Sequence, residues 1–198
     1  MRLDVFMDSW IIGDGNYSDF SKGETRQFAL ELWAPAGLKK IEGSEKSSQA
    51  DQRYTYAISA EVMFASSEIL VIDSGVLAYS ATSSDLEAGF RVGDFVKGDV
   101  TFGVDPFFYF ERLSKLPDVP ALIYEWRIEW VEQETTPLIS GKVCGREGYV
   151  RDQARTRFER VESTSEIIPN PHDIAPSYVL HCTKLEAAAM KTFSRPQR

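Results

Sequence analysis

Residues 54–64, YTYAISAEVMF, alternate apolar side chains with small or polar ones. The apolar positions are Tyr54, Tyr56, Ile58, Ala60, Val62 and Phe64. Because successive side chains of a strand point to opposite faces, this pattern predicts a strand with one apolar face. Residues 124–130, YEWRIEW, follow the same alternation and predict a second such strand.

Shorter alternating runs extend this pattern through much of the chain, and apolar stripes of helical period are scarce. The sequence therefore predicts a mostly-β protein, an antiparallel β-barrel or sandwich with one or two short helices. Strands are expected at 3–12, 25–34, 54–64, 68–80, 90–105, 122–133 and 178–184.

Helices are predicted only in two short segments. Residues 184–193, KLEAAAMKTF, contain three consecutive alanines and no helix breaker, and residues 149–157 are the second candidate. The polar segment 43–52 predicts an exposed, mobile loop between strands. Residues 194–198 are expected to be a frayed tail.

The predicted strands 54–64, 68–80 and 90–105 can form a three-strand meander. A connection over 111–121 then leads to the strand at 122–133. This order resembles the oligonucleotide/oligosaccharide-binding (OB) barrel, a partly open barrel of five strands. The resemblance is one of architecture and covers about half of the chain.

A short repeat raises the possibility of an internal duplication. Residues 20–25, FSKGET, resemble residues 90–95, FRVGDF, because each places Gly three positions after Phe and an acid directly after the Gly. Gly permits a positive φ, so both segments predict a turn that enters a strand. Duplication is one interpretation, and independent recurrence of the same turn chemistry is the other.

The length of 198 residues fits one large domain or two small ones that pack closely. We predict one β-rich domain over 1–185, with two barrel-like halves at about 1–50 and 51–135. Residues 136–185 would complete the sheet, and residues 186–198 would form a short helix and tail.

The net charge of −8 is unevenly distributed, with a balance of −11 over residues 1–141 and +3 over residues 142–198. The acidic part should repel nucleic acid and anionic membranes and favour a basic partner. A role in solubility alone is the simpler interpretation.

Neither a secretory signal nor an apolar run of membrane-spanning length is visible, which predicts a cytoplasmic protein without membrane contact. Cys144, Cys182, His172 and His181 lack the spacing of a zinc site, so we expect the cysteines to be structural and no metal or cofactor to bind. Residues 14–19 begin like a calcium loop, but Asp19 and Thr25 replace its required Gly and Glu, so an Asx turn is expected.

The most unusual segment is the aromatic run Phe107, Phe108, Tyr109 and Phe110. In a strand, Phe107 and Tyr109 would face one way and the other two would face the opposite way. Such a strand would be buried on both faces, or it would expose aromatic rings to a ligand or partner.

Two further clusters suggest alternative functions. Five arginines (Arg146, Arg151, Arg155, Arg157 and Arg160) could contact phosphates of single-stranded nucleic acid, although acids interrupt them. Glu125 and Glu129 share a predicted strand face and could act as the acid and base of a hydrolase. Arg127 between them is more typical of a surface ladder of charges.

The common signatures of nucleophilic, phosphate-binding and zinc-hydrolase sites are absent from the sequence. The preferred prediction is a non-catalytic binding protein that engages a protein partner through an acidic and aromatic surface. Its anchors would be residues 107–110 with Trp126 and Trp130. Self-association as a homodimer is a second use of the same surface. A nucleic-acid-binding barrel and a carboxylate hydrolase are the alternatives.

Overall fold

The computed structural model describes residues 1–81, 89–143, 146–165 and 174–193, without the side chains of Gln52 and Val143. Its strands are β1 (Arg2–Asp8), β2 (Thr25–Phe28), β3 (Leu30–Trp33), β4 (Lys39–Ile41), β5 (Ser47–Gln52), β6 (Thr55–Ala65), β7 (Leu70–Asp73), β8 (Leu77–Ser80), β9 (Phe95–Val104), β10 (Tyr124–Glu134), β11 (Leu138–Val143), β12 (Arg146–Arg151), β13 (Phe158–Val161) and β14 (Ser177–Lys184). Its helices are α1 (Trp10–Gly13) and α2 (Phe108–Glu111), and 3₁₀ turns lie at Leu113–Lys115 and Gln153–Arg155.

The prediction of a mostly-β barrel is confirmed, and most pairings are antiparallel. Five strands close a ring in the order β9, β3, β8, β7 and β6, because β6 pairs again with β9. The pairing of β3 with β8 is parallel. We call this circuit the first ring.

A second circuit uses the same two strands β3 and β9. Only Ala29 separates β2 from β3, and β2 pairs with β10. From β10 the pairing continues through β14 to β1, and β1 meets β9 in a parallel contact of Phe6 with Gly103. This second ring takes strands from both ends of the chain, so it does not follow a boundary near residue 50. The division into halves stays a prediction.

The strand pair shared by the rings lies in the core. Leu32 of β3 is opposite Phe102 of β9, and both side chains are fully buried. Beside this pair, the Trp33 indole lies against the backbone of Gly103. Burying apolar side chains of this size stabilises the fold by about 1.5–3 kcal/mol each, so the shared pair joins both rings into one core.

The two turns noted as a repeat have the same geometry. Gly23 has φ +83°, and its N–H donates to the Ile128 carbonyl at 2.7 Å. Ile128 N–H donates in return to the carbonyl of Glu24 at 2.9 Å. The Glu24 carboxylate accepts from the N–H of Ser21 at 2.6 Å and closes the turn.

The equivalent turn of the first ring repeats each of these contacts. Gly93 has φ +86°, and its N–H donates to the Val62 carbonyl at 2.9 Å. Val62 N–H donates to the Asp94 carbonyl at 2.8 Å, and the Asp94 carboxylate accepts from the N–H of Arg91 at 2.9 Å. The shared geometry is observed, whereas common descent of the two segments stays a prediction.

Each ring also has a shift in strand register directly after the residue whose carbonyl accepts from the glycine of the turn. In the second ring the shift falls between Ile128 and Trp130, where β10 meets β14. In the first ring it falls between Val62 and Phe64, where β6 meets β7. The bulges make Trp130 and Phe64 equivalent positions of the two rings.

Several local predictions were wrong. Residues 47–52 form the edge strand β5 rather than a loop, because their backbone pairs with β6. Residues 185–193 are not helical: Leu185 N–H donates to Glu125, and Met190 exchanges backbone hydrogen bonds with Ile123. Residues 10–12 belong to α1 rather than to a strand.

The predicted helix at 149–157 is instead the end of β12 followed by the 3₁₀ turn. The tail at 194–198 lies outside the described residues. Among the described residues, no helix is long and apolar enough to cross a membrane.

The packing of Trp33 on the shared pair generates a test. Gly103→Ala should lower the free energy of unfolding by about 1–3 kcal/mol, because the new methyl group overlaps the indole ring. Gly43→Ala is the control, since the nearest side-chain atom would be 3.7 Å from its methyl group. Urea unfolding measures both, and equal stability of the two variants would contradict the described packing.

Candidate functional site

The outer faces of the two rings differ at equivalent positions. In the first ring, Phe64 pairs with Val71, and Val71 pairs with Tyr79. Val71 and Tyr79 are fully buried in an apolar cluster that includes residues of α2 and the segment after it. The first ring therefore uses this face as core.

The second ring carries polar residues at two of the same three positions. Trp130 pairs with His181, and His181 pairs with Asp4. The imidazole stacks on the indole, with ring centroids 4.5 Å apart and planes at 23°. Because buried polar groups stabilise a fold less than packed apolar ones, this replacement marks the outer face of the second ring as a candidate site.

His181 lies between two carboxylates. Its Nδ1 is 2.6 Å from Asp4 Oδ1, and its Nε2 is 3.2 Å from Glu132 Oε2. The contact between Nε2 and Glu132 has the distance of an ion pair, but its geometry is not that of a hydrogen bond. A neutral imidazole carries one N–H and can donate to only one of these carboxylates, whereas an imidazolium can donate to both.

Glu132 connects the histidine to Arg53, whose guanidinium Nη2 is 3.6 Å from Glu132 Oε2. The guanidinium carbon lies 4.4 Å from the centroid of the Phe158 ring, which is the geometry of a cation–π contact. The Arg53 side chain is 43% exposed, whereas that of Glu132 is 13% exposed. The positive group therefore faces solvent, and the negative group lies beneath it.

A cleft of about 510 Å³ opens beside Arg53. One wall is the turn between β5 and β6, and the other is the 3₁₀ turn that leads into β13. The lining residues are Arg53, Tyr54, Thr55, Gln153, Thr156 and Phe158. We call this the arginine–aromatic cleft. Its volume falls within the range of ligand sites in proteins, about 300–1,000 Å³.

Aromatic rings continue from the cleft across the sheet. Tyr54 contacts Phe158 at 6.1 Å and Phe6 at 5.6 Å between centroids, and Phe6 contacts Trp33 at 6.3 Å. All four side chains are partly exposed. Burial and the charge of Glu134 raise the pKa of the Tyr54 phenol, so the hydroxyl stays protonated at neutral pH.

The predicted arginine cluster is divided between several partners. Arg160 stacks on Trp130 at 5.1 Å, Arg151 pairs with Glu134 at 3.1 Å, and Arg155 pairs with Asp152 at 2.6 Å. The exposed Arg157 lies between the 3₁₀ turn and β13, and its N–H donates to Thr136 Oγ1 at 3.1 Å. The exposed Arg146 lies at the far end of β12, opposite Val143.

Residues 108–110 of the aromatic run lie in the short helix α2 rather than in a strand. Phe107 has a left-handed backbone and precedes the short helix α2. Phe107 and Tyr109 are buried, so they cannot serve as surface anchors, whereas Phe108 and Phe110 are partly exposed. A ring on the C-terminal segment, Phe193, covers Phe107 at 5.0 Å and Phe110 at 4.9 Å.

Trp126 is also a core residue, because it is fully buried and stacks on Phe28 at 5.4 Å. Its expected role as an anchor was therefore wrong, since the alternating face that it shares with Ile128 points into the second ring. Trp130 lies beyond the bulge, is partly exposed and stays a candidate contact residue.

The carboxylates proposed for hydrolysis have separate partners. Glu125 accepts a hydrogen bond from the Gln27 amide at 3.0 Å, and Glu129 is 4.0 Å from Arg127. Burial raises the pKa of the Cys182 thiol, which disfavours the thiolate form. Cys144 and His172 lie outside the described residues. Among the residues described, no group of three His, Cys, Asp or Glu side chains could hold a metal ion.

The segment that begins like a calcium loop is an Asx turn. The Asp14 carboxylate accepts from the Asn16 N–H at 3.1 Å and from the Asn16 side-chain amide at 2.8 Å. These bonds occupy the oxygens with local donors, as is typical of a turn.

A second group of acids is buried near α2. Asp105 Oδ1 accepts from the Tyr79 hydroxyl at 2.6 Å and from the Tyr109 N–H at 3.0 Å. Burial raises the pKa of Asp105 to about 6, although these hydrogen bonds oppose the shift. Burial, followed by the charge of Asp105, raises the pKa of Glu31 to about 7. Because Asp105 accepts a hydrogen bond from a backbone N–H of α2, we assign Asp105 and Glu31 to the fold rather than to a binding site.

Sequence reasoning missed most of the cleft. Arg53 lies in a turn with no recognisable motif, and Phe158 is an isolated aromatic between charged residues. The alternation over residues 54–64 predicts Tyr54 on an apolar strand face, and the spacing of His181 gives no sign of a site. A polar residue flanked by strand-forming apolar residues, as at Asp4 and His181, is the signal that could have been pursued.

Comparison with known proteins adds no relative: the chain matches no family model, no curated protein and no solved structure. The candidate site therefore depends on its geometry alone.

The raised pKa of Glu31 predicts how stability changes with pH. The folded state binds this proton up to about pH 7, whereas the unfolded chain loses it near the ordinary value of 4.5. The free energy of unfolding should therefore fall as pH rises across this window. Glu31→Gln should make that slope smaller. The change should stay below about 1.4 kcal/mol per pH unit, which is the limit for one full proton, because the side chain is partly exposed.

Urea unfolding between about pH 5 and 7 measures the slope. The exposed Glu42 provides the control variant Glu42→Gln, which should keep the slope of the parent protein. If Glu31→Gln and Glu42→Gln give the same pH dependence, Glu31 does not titrate in the folded protein as described.

Proposed function

We propose that this protein is a non-catalytic binding protein that engages a protein partner through the arginine–aromatic cleft. The observation that carries the proposal is the exposed Arg53 guanidinium, which lies over the Phe158 ring at the edge of a cleft that Tyr54 also lines. Arginine and aromatic side chains of this kind are enriched among the residues that dominate interface energies.

The surroundings of the cleft support binding through rigid groups. Tyr54 contacts both Phe6 and Phe158, so its ring loses little freedom when a partner covers it. Trp130 of β10 and Arg160 of β13 form a second contact between a guanidinium and an aromatic ring. A partner that meets preformed contacts has less side-chain entropy to lose on binding.

The histidine cluster does not favour catalysis. Within the described part of the chain, both polar contacts of His181 are with carboxylates, and no hydroxyl or thiol nucleophile contacts its ring nitrogens. A Ser or Cys nucleophile would need such a base within hydrogen-bond reach. The cluster instead holds Glu132 beneath Arg53, which is a positioning role.

The order of the first ring supports a binding module of the OB-like kind. A meander of β6, β7 and β8 is closed by β3 and β9 through one parallel pairing, which resembles the partly open barrel used for oligomeric ligands. We favour a protein over single-stranded nucleic acid as the partner. The net charge is −8, and carboxylates pair with Arg151 and Arg155, so a run of phosphates would meet repulsion.

Two wider expectations belong to the same proposal. The acidic balance of residues 1–141 would attract a partner with a basic surface at long range. Self-association through the aromatic residues is the competing use of the surface, and a cytoplasmic setting is the proposed location.

The proposal predicts that Arg53→Gln and Phe158→Ala each abolish capture of a partner from an extract of the native organism. Arg112→Ala is the matched control, because Arg112 also stacks on a phenylalanine, Phe108 at 5.6 Å, and pairs with a carboxylate, Glu68 at 2.9 Å. The captured protein is identified by mass spectrometry, purified and titrated against all variants.

Thermal unfolding first verifies that the variants are folded, and light scattering reports the oligomeric state. Capture that survives both cleft variants would contradict the assignment of the site. A protein that is a dimer by light scattering, and becomes a monomer with Phe158→Ala, would replace the partner with a second copy of the chain.

A further inference from the structure

We propose that the arginine–aromatic cleft recognises a carboxylate of the partner, presented on a short peptide segment and bound by the Arg53 guanidinium. This inference rests on the proposed function and specifies the chemistry of the group that the cleft takes. It follows from how Arg53 differs from Arg151 and Arg155 in its ion pairing.

Two arginines near the cleft each pair closely with a carboxylate. Arg151 lies 3.1 Å from Glu134, and Arg155 lies 2.6 Å from Asp152. Arg53 is 3.6 Å from its nearest described carboxylate, and its guanidinium makes no hydrogen bond within the described residues. Several of its N–H donors therefore face the cleft and solvent, and a planar carboxylate can accept two of them at once.

Glu132 cannot fully neutralise Arg53, because it also faces His181. Its Oε2 lies 3.2 Å from His181 Nε2 and 3.6 Å from Arg53 Nη2, so the same oxygen faces both side chains. Asp4 holds the other side of the imidazole at 2.6 Å and keeps the ring in this orientation. The cluster thus fixes Glu132 below the cleft and leaves the outer edge of Arg53 for another anion.

The remaining walls suit a peptide that carries this anion. Phe158 lies beneath the guanidinium, and Tyr54 offers a second aromatic surface with a hydroxyl group. Gln153 and Thr156 add polar side chains on the opposite wall, which can bond to a peptide backbone. A volume of about 510 Å³ accommodates a few residues rather than a whole folded element.

A single carboxylate fits this charge distribution better than a polyanion. At physiological ionic strength the Debye length is about 8 Å, so the net charge of −8 acts weakly on one group that touches Arg53. A nucleic-acid strand would carry several phosphates past Glu134, which pairs with Phe158 in the sheet, and Asp152, which precedes Gln153, so it would meet more repulsion than one carboxylate does. The same short range allows the partner to be basic elsewhere on its surface.

Selection from a display library of short random peptides tests this inference with the full-length protein. Enriched peptides should contain Asp or Glu close to an aromatic residue. Synthetic versions are then titrated by fluorescence, each with a free or an amidated C-terminus, which separates a side-chain carboxylate from a terminal one. An Asp→Asn or Glu→Gln exchange in the peptide should weaken binding at least about tenfold.

On the protein side, Arg53→Gln should cause a similar loss, and Arg53→Lys should recover only part of the affinity because it lacks the planar fork. The matched control Arg112→Ala should bind like the parent protein. Inorganic phosphate and an oligothymidine strand serve as competing probes, and neither should displace the peptide at concentrations near its dissociation constant.

Three results would overturn the inference: enrichment of Lys- or Arg-containing peptides, no enrichment beyond that on the Arg53→Gln protein, or tighter binding of oligothymidine than of any peptide. The proposed function would survive the first result, provided that capture of the protein partner still depends on Phe158. The proposed function would fail as well only if capture of the protein partner were unaffected by both cleft variants.

Discussion

The antiparallel pair of β3 and β9 is the contact on which the rest of the structure depends. Both strands belong to both rings, and Leu32 faces Phe102 at the centre of the pair. Their side chains are fully buried, so the two rings share a core rather than a surface. Because each ring closes through these strands, loss of the pair would open both rings.

This constraint explains how one protein can have two similar rings with different outer faces. The first ring covers its outer face with α2 and the following segment, and the equivalent positions Val71 and Tyr79 become core. The second ring keeps His181 and Asp4 at those positions. Stability from the shared core allows the second ring to retain polar groups that would weaken an isolated small barrel.

The sequence predicted the elements whose apolar alternation is complete. The long strands β6 and β10 and the β-rich class follow directly from residues 54–64 and 124–130. It failed where pairing overrides local pattern: β5 is polar on both faces and is a strand only because β6 lies beside it. The alanines near residue 188 favour a helix in isolation, but the segment instead forms backbone hydrogen bonds with Glu125 of β10 and with Ile123, which precedes β10.

The candidate site was less accessible to sequence reasoning than the fold. Asp4 and His181 are separated by most of the chain and meet because β1 pairs with β14. Arg53 reaches Phe158 only when the β5–β6 turn approaches β13. The form of the aromatic run could not be predicted, because four consecutive aromatic residues fit a short strand and a single turn of helix alike, and the left-handed Phe107 has no sequence signal.

Native-state hydrogen exchange most directly tests the claim that one shared strand pair unites the rings. The account predicts that amides of residues 30–33 and 95–104 exchange most slowly, and that protected amides of β6–β8 and of β10 and β14 open with the same free energy. Exchange of one ring at a much lower free energy, while the other ring and the shared pair stay protected, would contradict the account.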